Sequence, residues 1–239
     1  MPKLFIVMPA YNEAENIEHT VGQWYPVLEK YGGEGSALVV VNDGSKDSTF
    51  EKLCSIAGEK PKLIPLDKKN GGHGSAVLCG YRYAIRHGAD LIFQTDSDGQ
   101  TDPRDFARFW KRIRKADAVI GFRPKRGDGF LRKVVEDIVC LILRVIFGVK
   151  VKDANAPFRM MKTELVEKYI SRLPENYNLP NIMFTTYFVY YRENTAFLPI
   201  SFKPRQGGKN SINLKKIFVI GRQAMGDFLR FRKEMRKDV

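Results

Sequence analysis

The chain has 239 residues, 44% hydrophobic and 28% charged, which is typical of a folded globular protein and excludes a disordered one. Its net charge is +13, and the whole excess lies in residues 123–152, with 8 basic against 3 acidic, and 203–239, with 11 against 3. This distribution argues against a uniformly basic coat for nucleic acid and indicates a neutral body with two basic surfaces. The longest apolar run, 138–143, is far shorter than the about 20 residues of a membrane span, so none is expected.

Short apolar runs alternate with helix-like stretches through the first half of the chain. Strands are predicted at 3–8, 37–41, 62–66, 90–95 and 117–122. Helices are predicted near 13–30, 47–58, 74–87 and 103–115. This alternation predicts an α/β fold whose mainly parallel sheet is flanked by helices on both faces. Ligands bind such sheets beyond the carboxyl ends of the strands, so the residues after each run are site candidates.

An acidic pair, Asp96 and Asp98, follows the predicted strand at 90–95. A turn at Gly99 would let both carboxylates reach one Mg²⁺ or Mn²⁺, which a substrate diphosphate would also contact. Such a cation would offset the charge that builds on a leaving diphosphate. A solvated turn that caps the next helix is the alternative for this pair.

Polar residues also follow the other predicted strands. Asp43 could accept a hydrogen bond from a ribose hydroxyl or a base N–H, or it could cap a helix. The Tyr11 ring could contact a nucleobase, while Glu13 could instead stabilise the first turn of a helix. The glycine-rich turn at 70–74 suits close approach of a phosphate or sugar, although a glycine turn alone is unspecific.

The three cysteines, Cys54, Cys79 and Cys140, are far apart and lack the spacing of a metal or disulfide site. They are predicted to be buried thiols in a reducing compartment. The N-terminus lacks a signal-peptide cleavage pattern. A cytoplasmic location is therefore expected.

These motifs stand in a fixed order along the chain: PAYNE at 9–13, VNDGS at 41–45, NGGHG at 70–74, DSDGQ at 96–100, GFR at 121–123, DANAPFR at 153–159 and RQGG at 205–208. Together they resemble the family 2 glycosyltransferases of the GT-A fold, and among them the polyprenyl-phosphate sugar transferases such as dolichol-phosphate mannose synthase. The resemblance covers most of residues 3–212. His73, Pro157 and Asn210-Ser211 depart from the residues common in that family.

The resemblance implies a role for each matching residue. A nucleotide sugar would be bound by Pro9, Tyr11, Glu13, Val41, Asp43, Asn70, Gly74, Asp96, Ser97, Asp98 and Gln100. The cofactor, Mg²⁺ or Mn²⁺, would be held by Asp96, Asp98 and Gln100. The acceptor phosphate would be bound by Arg123, Arg132, Arg205 and Ser211, and the catalytic residues would be Asp98, Arg123 and Arg205. A surface ion pair is the alternative for Arg123 and Arg205, and the few acidic residues near them in sequence count against it.

The acceptor can also be inferred from the acids that are absent. Transfer to a hydroxyl needs a general base, and residues 176–194 contain one acid, Glu193. A phosphate monoester is already an anion and needs only cations to orient it. The prediction is a direct, inverting attack of a polyprenyl phosphate on a nucleotide sugar. Transfer to a glycan or lipid hydroxyl is the alternative, and a nucleic-acid-binding module is a third reading that the neutral first half disfavours.

Two basic amphipathic helices are predicted, at 131–149 and 214–231. The apolar face of the first contains Leu131, Val134, Val135, Ile138, Leu141, Ile142, Val145 and Ile146, with Leu143 and Phe147 on its polar side. The second follows a domain at 1–212, forms a separate segment at 213–239 and ends in a basic tail after Phe231. Both are candidates for peripheral contact with the cytoplasmic membrane face. Packing on the domain, a membrane-protein partner and a homo-oligomer are the alternatives.

Overall fold

A computed structural model describes residues 1–124, 130–204 and 214–238, with residues 130–132 and 214–220 described by their backbone alone. Within these ranges the strands are β1 (Leu4–Ala10), β2 (Ala37–Asn42), β3 (Leu63–Asp67), β4 (Leu91–Gln94), β5 (Ala118–Phe122), β6 (Arg159–Lys162) and β7 (Thr195–Pro199). The helices are α1 (Ile17–Tyr31), α2 (Thr49–Glu59), α3 (His73–Arg86), α4 (Phe106–Arg112), α5 (Phe130–Phe147), α6 (Thr163–Ile170), α7 (Pro180–Tyr190) and α8 (Leu214–Met235). Short 3₁₀ turns flank α4 at Pro103–Asp105 and Ile113–Lys115.

The strands form one sheet in the order β3-β2-β1-β4-β6-β5-β7. β6 runs antiparallel to both β4 and β5, and the remaining pairs are parallel. The predicted α/β fold with a mainly parallel sheet is confirmed, and all five predicted strands are present. β6 and β7 were not predicted, and β6, with a charged residue at each end, has only two apolar residues between them.

Side chains of the central strands alternate between two cores. Phe5 and Val7 of β1 pack with α3 on one face, while Ile6 and Met8 pack with Trp24 of α1 on the other. Burial on both faces explains why the central strands are apolar at almost every position. Gly80 lets α3 lie directly on β1, because a Cβ there would fall 2.3 Å from Val7 Cγ1. This packing fixes the start of α3 at the carboxyl edge of the sheet.

The orientation of α5 differs from the predicted one. Leu143 and Phe147, expected on the polar side, are buried in the core, whereas Ile138, Leu141 and Val145 are 51%, 59% and 76% exposed. The helical pattern contains two apolar stripes, and the core takes the one with the aromatic ring, which packs on Phe228 of α8. The exposed stripe therefore faces away from the protein body.

The final helix α8 is longer than predicted. It continues through Met235, so the expected end of the amphipathic pattern at Phe231 is wrong, and the first basic residues after it belong to the helix. Ala224, Phe228, Phe231 and Met235 are buried against the body, which explains the extension, because a stripe spaced three and four residues apart lies on one face of a helix. The predicted domain boundary at 212/213 falls outside the described residues.

Two further expectations concern the thiols and the membrane. Cys54 is exposed and Cys79 and Cys140 are partly buried, so the prediction of three buried thiols is wrong. Across the described residues, none of the helices is both long enough and apolar enough to cross a bilayer.

Candidate active site

The carboxyl ends of β1, β2 and β4 meet at one edge of the sheet. Ala10 pairs with Asn42, and the Asp43 N–H donates to Ala10 O at 2.9 Å. On the other side of β1, the Ser97 hydroxyl donates to Pro9 O at 2.8 Å. The structure therefore brings together three of the predicted motifs, those that follow the first, second and fourth strands.

Asp43 organises the glycine-rich turn that precedes α3. Its buried carboxylate accepts hydrogen bonds from Gly71 N at 2.9 Å, Gly72 N at 2.7 Å and Lys68 Nζ at 2.6 Å. Asn70 adds a bond from Nδ2 to Asp43 O at 2.8 Å. Asp43 thus holds the turn in place through hydrogen bonds within the protein. Any contact with a nucleoside would be made by a carboxylate that these bonds already orient.

The glycines of this turn are required by the backbone. Gly72 has φ +88°, a conformation that side chains with a Cβ rarely adopt. A Cβ at Gly74 would lie 2.2 Å from Tyr177 O, so the turn packs tightly against the segment before α7. The sequence predicted close approach of a ligand to this turn. At Gly74 the group that approaches closely is the Tyr177 carbonyl of the protein itself.

The remaining donor-side candidates differ in accessibility. Tyr11 is 36% exposed at the edge, as a ring that contacts a base would need to be. Glu13 is buried and accepts from Asn16 Nδ2 at 2.8 Å, while its N–H donates to Thr49 Oγ1 at 2.9 Å. Pro9 and Val41 are buried strand residues, and the Val41 side chain packs toward α3 below the edge.

The acidic pair lies on a turn directly beyond β4. Gly99 has φ +71°, which makes the predicted turn, and Asp98 Oδ1 accepts from Gln100 N at 3.1 Å. Asp96 Oδ1 is buried and has no hydrogen-bond partner within the described part of the chain. Burial raises the pKa of Asp96 well above its usual value, and the neighbouring charge of Asp98 raises it further.

These features fit a divalent cation. A buried carboxylate oxygen without a donor, next to a second carboxylate, is stabilised by a nearby positive charge. No group of three or more His, Cys, Asp and Glu side chains is arranged to hold a metal in the described ranges. The protein would therefore supply only part of the coordination shell, which suits Mg²⁺ or Mn²⁺ shared with substrate phosphates. His73 lies at the edge of this group, with Nε2 3.9 Å from Asp96 Oδ1.

The turn that contains the acidic pair is tied to the segment that leads toward Arg205. Gln100 Nε2 donates to Lys203 O at 2.9 Å, and Lys203 N donates to Gln100 O at 2.8 Å. Lys203 Nζ also lies 3.1 Å from Asp102 Oδ2. Hydrogen bonds from Arg104, and to a smaller extent from Lys203, hold the pKa of Asp102 below its usual range. Arg205 and Ser211 lie outside the described residues, but the chain enters that region beside the acidic pair.

Arg123 occupies a buried ion-pair cluster at the end of β5. Its guanidinium binds Asp153 through Nε at 2.7 Å and Nη2 at 2.9 Å, and Nη2 lies 3.6 Å from Glu136 Oε2. The guanidinium also stacks over the ring of Phe202 at 5.0 Å. An ion pair, which the few acids near Arg123 in sequence were expected to disfavour, is what the structure contains, and it is buried rather than at the surface. Glu136 comes from α5 and Asp153 from the turn before β6. The side chain of Arg132 is not described.

The sequence did not identify Lys68, Glu136 or Asp153 as site residues. Lys68 directly follows β3, and the rule applied to the other strand ends would have selected it. Asp153 was noted only as part of the motif at 153–159, and Glu136 was not singled out within the predicted helix at 131–149. The contacts of Asp153 and Glu136 with Arg123 depend on packing between segments, which a local sequence pattern does not reveal.

Comparison with known proteins places the chain among sugar-transferring enzymes. It is 27% identical over 168 residues to an undecaprenyl-phosphate mannosyltransferase of Micrococcus luteus, covering 68% of this chain and 67% of that protein. It is 33% identical to a dolichyl-phosphate beta-glucosyltransferase of Trichomonas vaginalis, covering 66% and 51%. The chain thus spans about half to two thirds of the length of these relatives.

A similar fold occurs in glucosyl-3-phosphoglycerate synthase from Mycobacterium tuberculosis, solved in complex with Mn²⁺, uridine diphosphate and phosphoglyceric acid. The TM-score is 0.70 at 17% identity, covering 97% of this chain and 78% of that one. This likeness confirms the GT-A fold expected from the motifs. The family model for glycosyl transferase family 2 matches residues 5–193, which is most of the sheet and its helices. The chain therefore belongs to glycosyl transferase family 2.

Proposed function

We propose that this protein transfers a sugar from a nucleotide-sugar donor, such as GDP-mannose or a UDP-sugar, to a polyprenyl phosphate. The observation that carries the proposal is the acidic pair beyond β4, with its unpartnered Asp96 oxygen, joined by Gln100 to the chain that leads into Arg205. Relatives named for undecaprenyl-phosphate and dolichyl-phosphate acceptors support the same assignment.

On the donor side, Asp96, Asp98 and Gln100 would hold Mg²⁺ or Mn²⁺ against the diphosphate. When bound, the cation offsets the negative charge that develops on the leaving nucleoside diphosphate. Tyr11, Glu13 and Asp43 border the adjacent edge, where the nucleoside would lie. Asp43 and the turn at 70–74 are hydrogen-bonded in advance, so little ordering is needed when the donor binds.

On the acceptor side, the described residues favour a phosphate over a hydroxyl. Glu193, the one acid in residues 176–194, precedes β7, which runs in the same direction as β4, so it lies at the edge of the sheet opposite the acidic pair and is not placed to act there as a general base. A phosphate oxygen is already anionic and can attack the anomeric carbon directly, inverting its configuration. Arg123, Arg132, Arg205 and Ser211 are the proposed phosphate contacts, and arginine suits this role by its bidentate geometry.

Peripheral contact with the cytoplasmic membrane face would bring the lipid phosphate to this site. Ile138, Leu141 and Val145 form an exposed apolar ridge on α5, and Lys133 and Arg144 are exposed beside it. On α8, Met225 and Leu229 are exposed next to basic side chains. Each cation near an anionic leaflet contributes about 1 kcal/mol of attraction. Contact with a membrane-protein partner or a second copy of the chain is the competing use of these surfaces.

The proposal is tested with purified protein and a panel of GDP-, UDP- and dTDP-sugars. Thermal shift with and without Mn²⁺ identifies the donor, since a ligand that binds only the folded state raises the melting temperature. Release of nucleoside diphosphate is then measured with undecaprenyl phosphate, dolichyl phosphate or a saccharide as acceptor. We expect release of nucleoside diphosphate when a lipid phosphate is the acceptor and none when the saccharide is. Release only with the saccharide would favour the hydroxyl-acceptor alternative, and no release with any acceptor would contradict both.

A further inference from the structure

Arg159, the first residue of β6, is fully buried. Its Nε and Nη2 donate to Ala156 O at 3.2 and 3.0 Å, and its Nη1 donates to Asn181 O at 3.0 Å. Longer contacts of 3.5 Å join Nη2 to Ala154 O and Thr185 Oγ1. Within the described part of the chain, all these acceptors are neutral oxygens. Arg159 is thus a buried cation that crosslinks backbone segments without touching a carboxylate.

Burying a guanidinium in this way is costly, because a charge without a contacting partner loses several kcal/mol of hydration. The same desolvation lowers the pKa of Arg159 from its usual value. A single short amide side chain could bridge two carbonyls at a smaller cost. The planar fork of arginine reaches three separate directions at once, which indicates that the geometry of the crosslink matters.

One side of the crosslink is the turn 153–156, and the other is the first turn of α7. Thr185 strengthens the connection, because its hydroxyl lies 3.0 Å from Ala154 O and 2.8 Å from Asn181 O. Within the turn, Asp153 Oδ1 accepts from Asn155 N at 3.2 Å. The carbonyls of the turn thus face Arg159, while the carboxylate of Asp153 holds Arg123.

We propose that Arg159 is a positioning residue that orients Arg123 through the turn 153–156. Arg159 fixes two carbonyls of the turn, the turn fixes the Asp153 carboxylate, and the carboxylate fixes two nitrogens of Arg123. The effect on binding of the acceptor phosphate is therefore exerted without contact. This inference rests on the proposed function in one respect, the binding of a lipid phosphate by Arg123.

The test uses Arg159→Lys, Asp153→Asn and the double variant. Lysine keeps the charge, but its compact ammonium cannot hold the same three carbonyls. Each single change should raise the KM for polyprenyl phosphate about tenfold, and kcat and the Kd for nucleotide with Mn²⁺ should stay within about twofold. Because both residues act along one path, the double variant should raise the KM for polyprenyl phosphate no more than the more impaired single variant does. Multiplied effects, or equal weakening of nucleotide binding, would overturn the proposal.

Arg172→Lys is a matched control, since Arg172 crosslinks Asp238 and Tyr191 in a separate cluster at the end of α8. It should lower the melting temperature and leave the KM for polyprenyl phosphate unchanged.

Amide hydrogen exchange supplies a readout that does not depend on turnover. Arg159→Lys should speed exchange in 154–156 and at the start of α7, and unchanged exchange there would contradict the crosslink. Faster exchange in the variant, with no sugar transfer by the wild type, would instead refute the proposed function alone.

Discussion

The proposed donor side and acceptor side of this site are built in different ways. On the donor side, Asp43 directly follows β2, Asp96 and Asp98 lie on the turn beyond β4, and the parallel pairing of these strands with β1 brings them together. On the acceptor side, Arg123 meets Asp153 and Glu136, which come from separate segments. A motif read along the chain therefore captures the first side well and only part of the second. The two sides should also respond differently to substitution.

The largest effect is expected from the acidic pair. Asp98→Asn removes one anionic ligand and should lower metal-dependent turnover about 1,000-fold, because cation stabilisation of the leaving group supplies several kcal/mol. The initial rate with saturating Mn²⁺ is the measurement. Asp137→Asn, an exposed acid paired only with Lys133 on α5 among the described residues, is the matched control and should keep a normal rate. A near-normal rate for Asp98→Asn would remove the metal assignment.

Substitution of Arg123 should lower the free energy of unfolding of the protein. Its side chain is 6% exposed, and those of Asp153 and Glu136 are 4% and 12% exposed. Arg123→Met removes a cation that two buried carboxylates contact and should lower the free energy of unfolding by about 3–5 kcal/mol. Urea denaturation followed by circular dichroism measures this. Arg108→Met breaks a pair in which the arginine is half-exposed and the Asp105 carboxylate keeps a hydrogen bond from Ser201 N, so it should cost less. Equal losses would show that the Arg123 cluster is no more than a surface ion pair.

A substitution in the exposed ridge on α5 should affect membrane binding without affecting catalysis. Leu141→Glu should weaken binding to anionic vesicles about tenfold, since it replaces apolar insertion with a like charge. Turnover of a short, water-soluble prenyl phosphate should be unchanged. Ser55→Glu adds the same charge to an exposed position of α2 and serves as the control for vesicle cosedimentation. Normal vesicle binding by Leu141→Glu would leave the ridge as a site for a protein partner.

The smallest effect contrasts two helical glycines. A Cβ at Gly58 in α2 meets nothing within 4 Å, so Gly58→Ala should stabilise the protein by about 0.5–1 kcal/mol. Gly74→Ala should destabilise it and weaken nucleotide binding, because the turn must move away from Tyr177. Differential scanning calorimetry with and without nucleotide measures both. A lower melting temperature for Gly58→Ala would contradict the open space at that position.

Local patterns were sufficient for β1 to β5 and for the residues at their ends, because an apolar run and the turn after it are adjacent in sequence. β6 could not be found in this way, since its place between β4 and β5 depends on long-range pairing. The orientation of α5 was wrong for a related reason. A helical pattern shows two apolar stripes, but only the packing of Phe147 against Phe228 decides which one is buried. Likewise, no spacing rule connects Arg123 with Asp153, or Arg159 with the carbonyls that it holds.

The central step of the proposed function is the attack of a lipid phosphate on a nucleotide sugar held by a divalent cation. Mass spectrometry of the reaction with Mn²⁺ and the selected donor tests it, with undecaprenyl phosphate and undecaprenol as matched acceptors. We expect one product, the lipid phosphate carrying a single sugar with inverted anomeric configuration, and none from the alcohol. A glycosylated undecaprenol, or a lipid-phosphate product formed equally well without a divalent cation, would contradict it.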